Sequence, residues 1–326
     1  MADIFLTHTP DARATYYGER ALAGLRALGS VRLNEADHPL STAELLEASQ
    51  GCRIIVSDRA TFGEAALFDR HPTLQAFLRC AVDIRTIDVE AASRNGILVT
   101  RATPGFGVAV AELILGLMID LARGISDNVL AYRSGQSQTI RIGRQLRGAT
   151  LGIVGYGTIG RLLGEMAQAL GMELLIHDPY LEPGASVGFQ DLLAASDMVV
   201  CLAPATAETA NMFGAAAFAA MKPSAYFINA ARGDLVDEQA LIDALDRKLI
   251  AGAAMDVGRA LDQMPSPLLA GRADVIATPH IGGLTREATE HQAMDTVGQV
   301  GALLSGSLPL HAVNTESAFR IRRLLP

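Results

Sequence analysis

The chain has 326 residues, half of them apolar and 19% charged, with no tryptophan. That length suits about two domains of roughly 150 residues, and the composition excludes a disordered or fibrous chain. A formal charge of −8 argues against a nucleic-acid backbone as partner, and Cys52, Cys80 and Cys201, without CxxC spacing, argue against a disulfide framework or a thiolate metal site and for a reducing compartment.

The opening MADIFLTHTPDAR has no basic n-region or apolar run of signal-peptide length. Strands are expected at Ile4–Thr7, Arg53–Ser57, Ile84–Ile87 and Ile97–Thr100, with helical patterns such as Ala12–Leu28 and Thr42–Ala48 between them. The stretch Phe106–Ala122 is interrupted by Glu112 and Asp120, too charged and too short to span a bilayer, so a cytoplasmic protein is expected. Within it, Val108–Arg123 reads as a helix opening after Pro104-Gly105. From about residue 149 the strand–helix alternation returns, with strands at Thr150–Val154, Glu173–His177, Met198–Leu202, Tyr226–Asn229, Ala253–Asp256 and Val275–Ala277. A helix is expected over Thr285–Leu304, and the tail Leu308–Pro326 shows little pattern. Short, fully apolar strands alternating with helices make parallel sheets covered on both faces, so the fold class is α/β with two doubly wound units.

One turn points to a cofactor. Gly155-Tyr156-Gly157-Thr158-Ile159-Gly160 follows the strand ending at Val154, and a helical pattern over Arg161–Leu170 comes next. Surface turns also produce GxGxxG, but here a strand precedes it, a helix follows, and a second strand ends in Asp178, 18 residues after Gly160. Gly155 would permit the tight turn, Gly157 the close approach of a pyrophosphate, and Gly160 the packing of helix on strand. The helix N-terminus offers free N–H groups to the phosphates, and Asp178 suits ribose hydroxyls, favouring NAD over NADP. His177, on the opposite sheet face, reads as packing or surface rather than ligand.

Two further strand ends carry candidate chemistry. Arg232 follows the strand at Tyr226–Asn229, and His280 follows Val275–Ala277 in Thr278-Pro279-His280-Ile281-Gly282-Gly283. A guanidinium grips a carboxylate and polarises an adjacent carbonyl; an imidazole gives and takes a proton near neutrality. The plainer readings are a surface salt bridge for Arg232 and a capping or packed side chain for His280. His8, His38, His71, His291 and His311 lack such a setting.

Taken together, these motifs resemble the D-isomer-specific 2-hydroxyacid dehydrogenase family over roughly residues 50 to 315. The resemblance rests on Ile87-Asp88 with Gly96-Ile97, Thr103-Pro104-Gly105 with Ala111-Glu112-Leu113, the glycine loop, Leu202–Pro204 with Glu208-Thr209, Asn229–Asp237, Met255-Asp256-Val257 and Ala277–Gly283. It implies a flavodoxin-like substrate-binding domain from residues 1–102 and 290–326, with a Rossmann NAD-binding domain inserted at 103–289. It further implies that Arg232 binds the substrate carboxylate and that His280 is the acid/base. Asp256 and the backbone at Ala230 would hold the nicotinamide carboxamide, with Pro204, Thr209 and Gly283 along the cofactor. A homodimer through the NAD-binding domains is implied as well.

Two segments depart from the family pattern. The glutamate that usually orients the histidine is replaced by Leu261; Asp262 is the expected substitute, with Gln263 next and a solvated loop residue as the plain alternative. The family's glycines at 81 and 83, beside Val82, offer backbone N–H groups to the carboxylate, and here Ala81 and Asp83 replace them. Asp83 would repel an anion unless it points away, pairs with Arg85, or meets an extra donor on the substrate. The expected activity is NAD-dependent interconversion of a small D-2-hydroxy acid and its 2-oxo acid, with no metal. The alternatives are a non-catalytic, NAD(H)-gated binding protein of the corepressor type and a dehydrogenase with an atypical substrate.

Overall fold

Five parallel strands form the first sheet: β1 (Asp3–Leu6), β2 (Ser30–Leu33), β3 (Ile54–Ser57), β4 (Ala76–Arg79) and β5 (Leu98–Arg101), in the order β2-β1-β3-β4-β5. The computed structural model describes residues 3–135, 142–182 and 184–323. It divides into two units, Met1–Phe106 with Thr285–Pro326, and Gly107–Leu284. Successive residues along a strand face opposite sides, and the first unit uses both. Ile4, Leu6, Ile54, Val56 and Leu78 pack with Leu22, Leu25, Ala293, Val300 and Leu303, whereas Phe5, Ile55, Phe77 and Val99 pack with Leu45, Leu67, Phe68 and Ala91. The strand order is that of the flavodoxin-like fold.

This unit departs from the sequence expectations at several places. Ile84–Ile87 is a loop in which only Ile87 makes an isolated bridge, to Gly63, and the strand lies at Ala76–Arg79 instead. Its last residue, Arg79, is fully buried, so the charge disguised a core strand. β2 is a half-exposed edge strand without an apolar run. The helix expected over Ala12–Leu28 breaks at Gly18 (φ +80°), leaving a π-turn at Arg13–Tyr17 and a helix at Glu19–Leu28. The tail lies on the β5 edge: Ala312 bridges Thr100, the Asn314 side-chain oxygen accepts from Val99 N (2.8 Å), and its Nδ2 donates to the Ile97 carbonyl (2.9 Å). That cover satisfies groups a bare edge would leave open. The last three residues of the tail lie outside the described residues.

The second sheet has six parallel strands: β6 (Thr150–Val154), β7 (Glu173–His177), β8 (Met198–Cys201), β9 (Tyr226–Asn229), β10 (Gly252–Met255) and β11 (Val275–Ala277). Their order is β11-β10-β9-β8-β6-β7. The chain runs from β6 outward to β7, then returns to β8 on the other side, so the switch point of this Rossmann sheet lies between β6 and β8. One face is filled by Val154, Val199, Phe213, Phe218 and Phe227, with the Phe213 and Phe227 ring centroids 4.7 Å apart. The helix Gly107–Arg123 packs against the sheet at β9 and β10. The units divide at 106/107 and 284/285 rather than at the expected 102/103 and 289/290; the latter seam would cut the single helix Arg286–Leu304.

Among the described residues no helix is long and apolar enough to cross a membrane, and no cluster of three or more His, Cys, Asp or Glu side chains is arranged to hold a metal. The three cysteines are buried and form no disulfide, and burial pushes the thiols of Cys80 and Cys201 up to about 12.

Candidate active site

The glycine loop sits at the switch point of the second sheet. Gly155 has φ +96°, and a Cβ there would lie 2.6 Å from the backbone of Leu202 and Ala203 at the end of β8. A Cβ on Gly160 would lie 2.5 Å from the Gly155 carbonyl oxygen, so helix and turn approach at a distance only glycine allows. Gly157 is different: nothing stands within 4 Å of its missing Cβ. The helix Thr158–Ala169 begins just after it with no side-chain cap and no acidic residue in its first turn. Its N-terminal amides, including Thr158 and Ile159, therefore face an open, uncontested position.

Asp178, at the end of β7, accepts Tyr156 N at Oδ2 (2.8 Å) and Tyr180 N at Oδ1 (2.9 Å). Each oxygen keeps a lone pair for a ribose hydroxyl. The Tyr156 ring lies 5.2 Å from the Arg161 guanidinium. The loop after β8 is braced by Thr209, whose hydroxyl donates to the Pro204 carbonyl (2.7 Å) and accepts from Thr206 N (2.8 Å). A dinucleotide fits this cradle: a gap beside Gly157, an uncapped helix end, and a carboxylate with spare acceptors. His177 bonds the Val187 carbonyl through Nδ1 (2.9 Å) and packs on Phe189, a structural role.

The strand ends of β9, β10 and β11 hold the second group. Asn229, buried at the end of β9, clasps the next turn: its Oδ1 accepts from Ala231 N (3.0 Å) and its Nδ2 donates to the Arg232 carbonyl (3.0 Å), with Ala230 between. Arg232 is exposed, and Nη1 donates to the Ala231 carbonyl (2.7 Å). Asp256, after β10, is only 2% exposed. Its Oδ1 accepts from Thr278 Oγ1 (2.7 Å) and Ile281 N (2.9 Å), and its Oδ2 from Gly282 N (2.9 Å). His280 N donates to the Asp256 carbonyl (3.0 Å), and Asp256 N to the Asn229 carbonyl (3.0 Å). Asp256 thus ties the two loops together, with one acceptor position left on Oδ2; Gly283 completes the turn that follows.

Arg232 and His280 each lie three residues past paired strand ends, Asn229↔Met255↔Ala277. Two strand spacings separate β9 from β11, about 10 Å, so the loops that carry them leave the same sheet edge on either side of β10, after which Asp256 stands. His280 has φ +54°, a left-handed conformation uncommon for a non-glycine residue. Its Nδ1 meets the backbone carbonyl of Asp262 at 2.9 Å. The expected contact runs through the Asp262 carboxylate; the hydrogen bond seen at Nδ1 is accepted by the Asp262 peptide oxygen. Asp262 sits at φ +55°, ψ +27°, which turns that carbonyl toward the imidazole. A carbonyl only accepts, so Nδ1 carries the hydrogen and Nε2 is the atom available for proton transfer. Gln263 follows at φ +61°.

In the first unit, Asp83 is gripped bidentately by Arg85: Nε lies 3.0 Å from Oδ1 and Nη2 lies 2.7 Å from Oδ2. This hydrogen-bonded pairing holds the Asp83 carboxyl down at about 2 and neutralises the charge that threatened an anion site beside Val82. Nearby, the ends of β1, β3 and β4 form a buried polar cluster. Asp58 Oδ1 accepts from Thr7 Oγ1 (3.2 Å) and Thr61 N (2.9 Å), and Arg79 donates to the Asp58 carbonyl and to the Thr61 carbonyl (2.9 Å). His8 packs on Tyr17 with Nδ1 unpartnered, and burial pushes it down to about 4.

Sequence reasoning overlooked Arg259. It donates from Nη2 to the Asn211 side-chain oxygen and to the carbonyls of Asp234 (3.2 Å) and Val236 (3.1 Å), and from Nε to the Gly233 carbonyl (3.4 Å). Its signal was faint: a lone cation in the loop between Asp256 and Pro265.

Comparison with known proteins places this arrangement. Residues 115–282, just over half the chain, match the model of the D-isomer specific 2-hydroxyacid dehydrogenase NAD-binding domain. The chain belongs to the D-isomer specific 2-hydroxyacid dehydrogenase family. Its second unit carries that family's NAD-binding domain. It is 35% identical to D-3-phosphoglycerate dehydrogenase of Synechocystis sp. over 299 residues, 89% of this chain and 54% of that protein. It is likewise 35% identical to (S)-sulfolactate dehydrogenase of Chromohalobacter salexigens, over 92% of this chain and 97% of the relative. The chain therefore spans about half the length of the first relative and nearly all of the second. The solved structure of a protein from Thermus thermophilus superposes with TM-score 0.82 at 30% identity, covering 95% of this chain and 99% of that one.

Proposed function

We propose that the protein is an NAD-dependent oxidoreductase that interconverts a small D-2-hydroxy acid and its 2-oxo acid. The reading is supported by one observation: the loops bearing Arg232 and His280 leave the sheet edge that also bears the glycine loop, on either side of β10. Gly155–Gly160 and Asp178 would hold the pyrophosphate and adenine ribose, Pro204 and Thr209 would border the cofactor, and Ala230, Asp256 and Gly283 would frame the nicotinamide. Bound there, the nicotinamide supplies a hydride to C2 or takes one from it.

The chain's own groups do the rest. The Arg232 guanidinium grips the substrate carboxylate and polarises the neighbouring carbonyl. His280 Nε2 delivers a proton to the carbonyl oxygen during reduction and removes it from the hydroxyl during oxidation. Asp262 acts through its peptide oxygen. Residues 1–106 and 285–326 are the substrate-binding part, and pairing with Arg85 lets Asp83 tolerate an anion at Val82. The half-exposed Ile119, Ile125 and Val129 with exposed Tyr132 form an apolar surface on the NAD-binding unit, through which we expect a homodimer. Buried thiols outside any disulfide suit a cytoplasmic setting.

A panel of 2-oxo acids, including 3-phosphohydroxypyruvate and 3-sulfopyruvate, tests the activity by NADH consumption. At least one is expected to turn over; NADH binding without any turnover would favour the non-catalytic alternative. Arg232→Ala is expected to raise KM for that acid by about tenfold or more. An unchanged KM would mean that no carboxylate is held there.

A further inference from the structure

We propose that Arg259 is a positioning residue for proton transfer: it fixes the loop whose Asp262 carbonyl aims the His280 imidazole. The inference rests on the reading of His280 as the acid/base.

The position from which a glutamate would ordinarily reach the imidazole holds Leu261, whose side chain is 86% exposed. The work of orienting His280 has passed to a peptide oxygen, and a peptide oxygen is only as well placed as its loop. That loop is tightly bent. Gly258 N donates to the Gln263 carbonyl (2.7 Å) and Ala260 N to the Met264 carbonyl (3.0 Å), while Asp262 and Gln263 both occupy the left-handed region. Such a backbone persists only when its surroundings over-determine it.

Arg259 lies at the base of the bend, and its guanidinium reaches loops from two other strands. It meets Asn211 beyond β8 and the carbonyls of Gly233, Asp234 and Val236 beyond β9. A planar fork of five fixed donors suits several carbonyls at once, which an ammonium cannot match. The two loops also touch directly: a Cβ on Gly233 would lie 2.2 Å from the Gly258 carbonyl carbon. The clamp therefore sets the Asp262 carbonyl relative to the turn that bears Arg232. Removing it frees the bend to relax, and the Nδ1 hydrogen bond weakens. A carbonyl at Nδ1 favours the Nδ1–H tautomer.

Full-length wild-type, Arg259→Ala and Arg259→Lys proteins, labelled with 15N-histidine, provide the test, with His280→Asn to assign the signals. In the wild type, His280 is expected as the Nδ1–H tautomer. In Arg259→Ala, the tautomers should mix, with Arg259→Lys between it and the wild type. With the turned-over acid, kcat should fall about tenfold or more, while NADH affinity stays within about threefold. The same tautomer in Arg259→Ala as in wild type would overturn the proposal, as would an unchanged kcat. If Arg259→Ala does not fold, the tautomer of His280 in Arg259→Lys decides on the same terms. The NMR readout needs no substrate, so it stands apart from a failure of the redox assignment itself.

Discussion

Asp256→Asn changes one oxygen to nitrogen at the centre of the site. The wild-type carboxylate, 2% exposed, receives Thr278 Oγ1 at 2.7 Å, Ile281 N at 2.9 Å and Gly282 N at 2.9 Å. An asparagine can keep its carbonyl toward the first two, which turns its NH2 against the Gly282 N–H. One charge-assisted bond is lost and a buried amide is left without an acceptor, about 1.5–3 kcal/mol, while the two surviving bonds weaken from charged to neutral. The total is about 3 kcal/mol, and at about 2–4 °C per kcal/mol for a unit of this size Tm should fall about 6–12 °C. Differential scanning calorimetry of wild type, Asp256→Asn and Thr278→Val measures it. The threonine variant loses one contact only and should fall less. A Tm for Asp256→Asn within about 2 °C of wild type would refute the claim that this carboxylate holds the His280 loop.

The remaining predictions address the first unit and the cofactor cradle. His8 is depressed from 6.5 to about 4, so the native state binds fewer protons than the unfolded chain. Stability should therefore be full above about pH 6.5 and fall by up to about 3 kcal/mol as pH drops toward 4. Urea titrations of wild type and His8→Phe across that window should diverge; a constant difference between them would remove His8 as the cause. Gly157→Val places a side chain where no protein atom lies within 4 Å and where φ is −74°. It should leave Tm nearly unchanged while weakening NADH binding about tenfold or more. Unaltered affinity in a fluorescence titration would mean that the dinucleotide does not pass there.

Much of the second unit was legible because its strands are short and mostly apolar between helical patterns: Thr150–Val154, Glu173–His177, Tyr226–Asn229 and Val275–Ala277 fall where the pattern put them. The first unit hid more. β4 ends in a buried arginine, and its charge broke the run the eye follows, while Ile84–Ile87 offered a false one. The glycine loop could be read because Gly155 and Gly160 answer local steric demands and Gly157 leaves open space between them. The hold on His280 could not, because a peptide oxygen has no letter in the sequence; only the left-handed turn at Asp262 and Gln263 reveals it. Arg259 was obscured for a related reason, since three of its four acceptors are backbone carbonyls.

The layer that buries Ile4, Leu6 and Leu78 also contains Ala293, Val300 and Leu303. During synthesis, the residues of β1–β5 leave the ribosome long before the helix that covers them. At roughly 5–20 residues per second, close to two hundred intervening residues take roughly 10–40 s. Throughout that interval an apolar sheet face waits without its lid, while the continuous stretch Gly107–Leu284 already holds its entire core. Nascent-chain protection is thus most needed at the amino-terminal end, and the middle of the polypeptide is positioned to fold first.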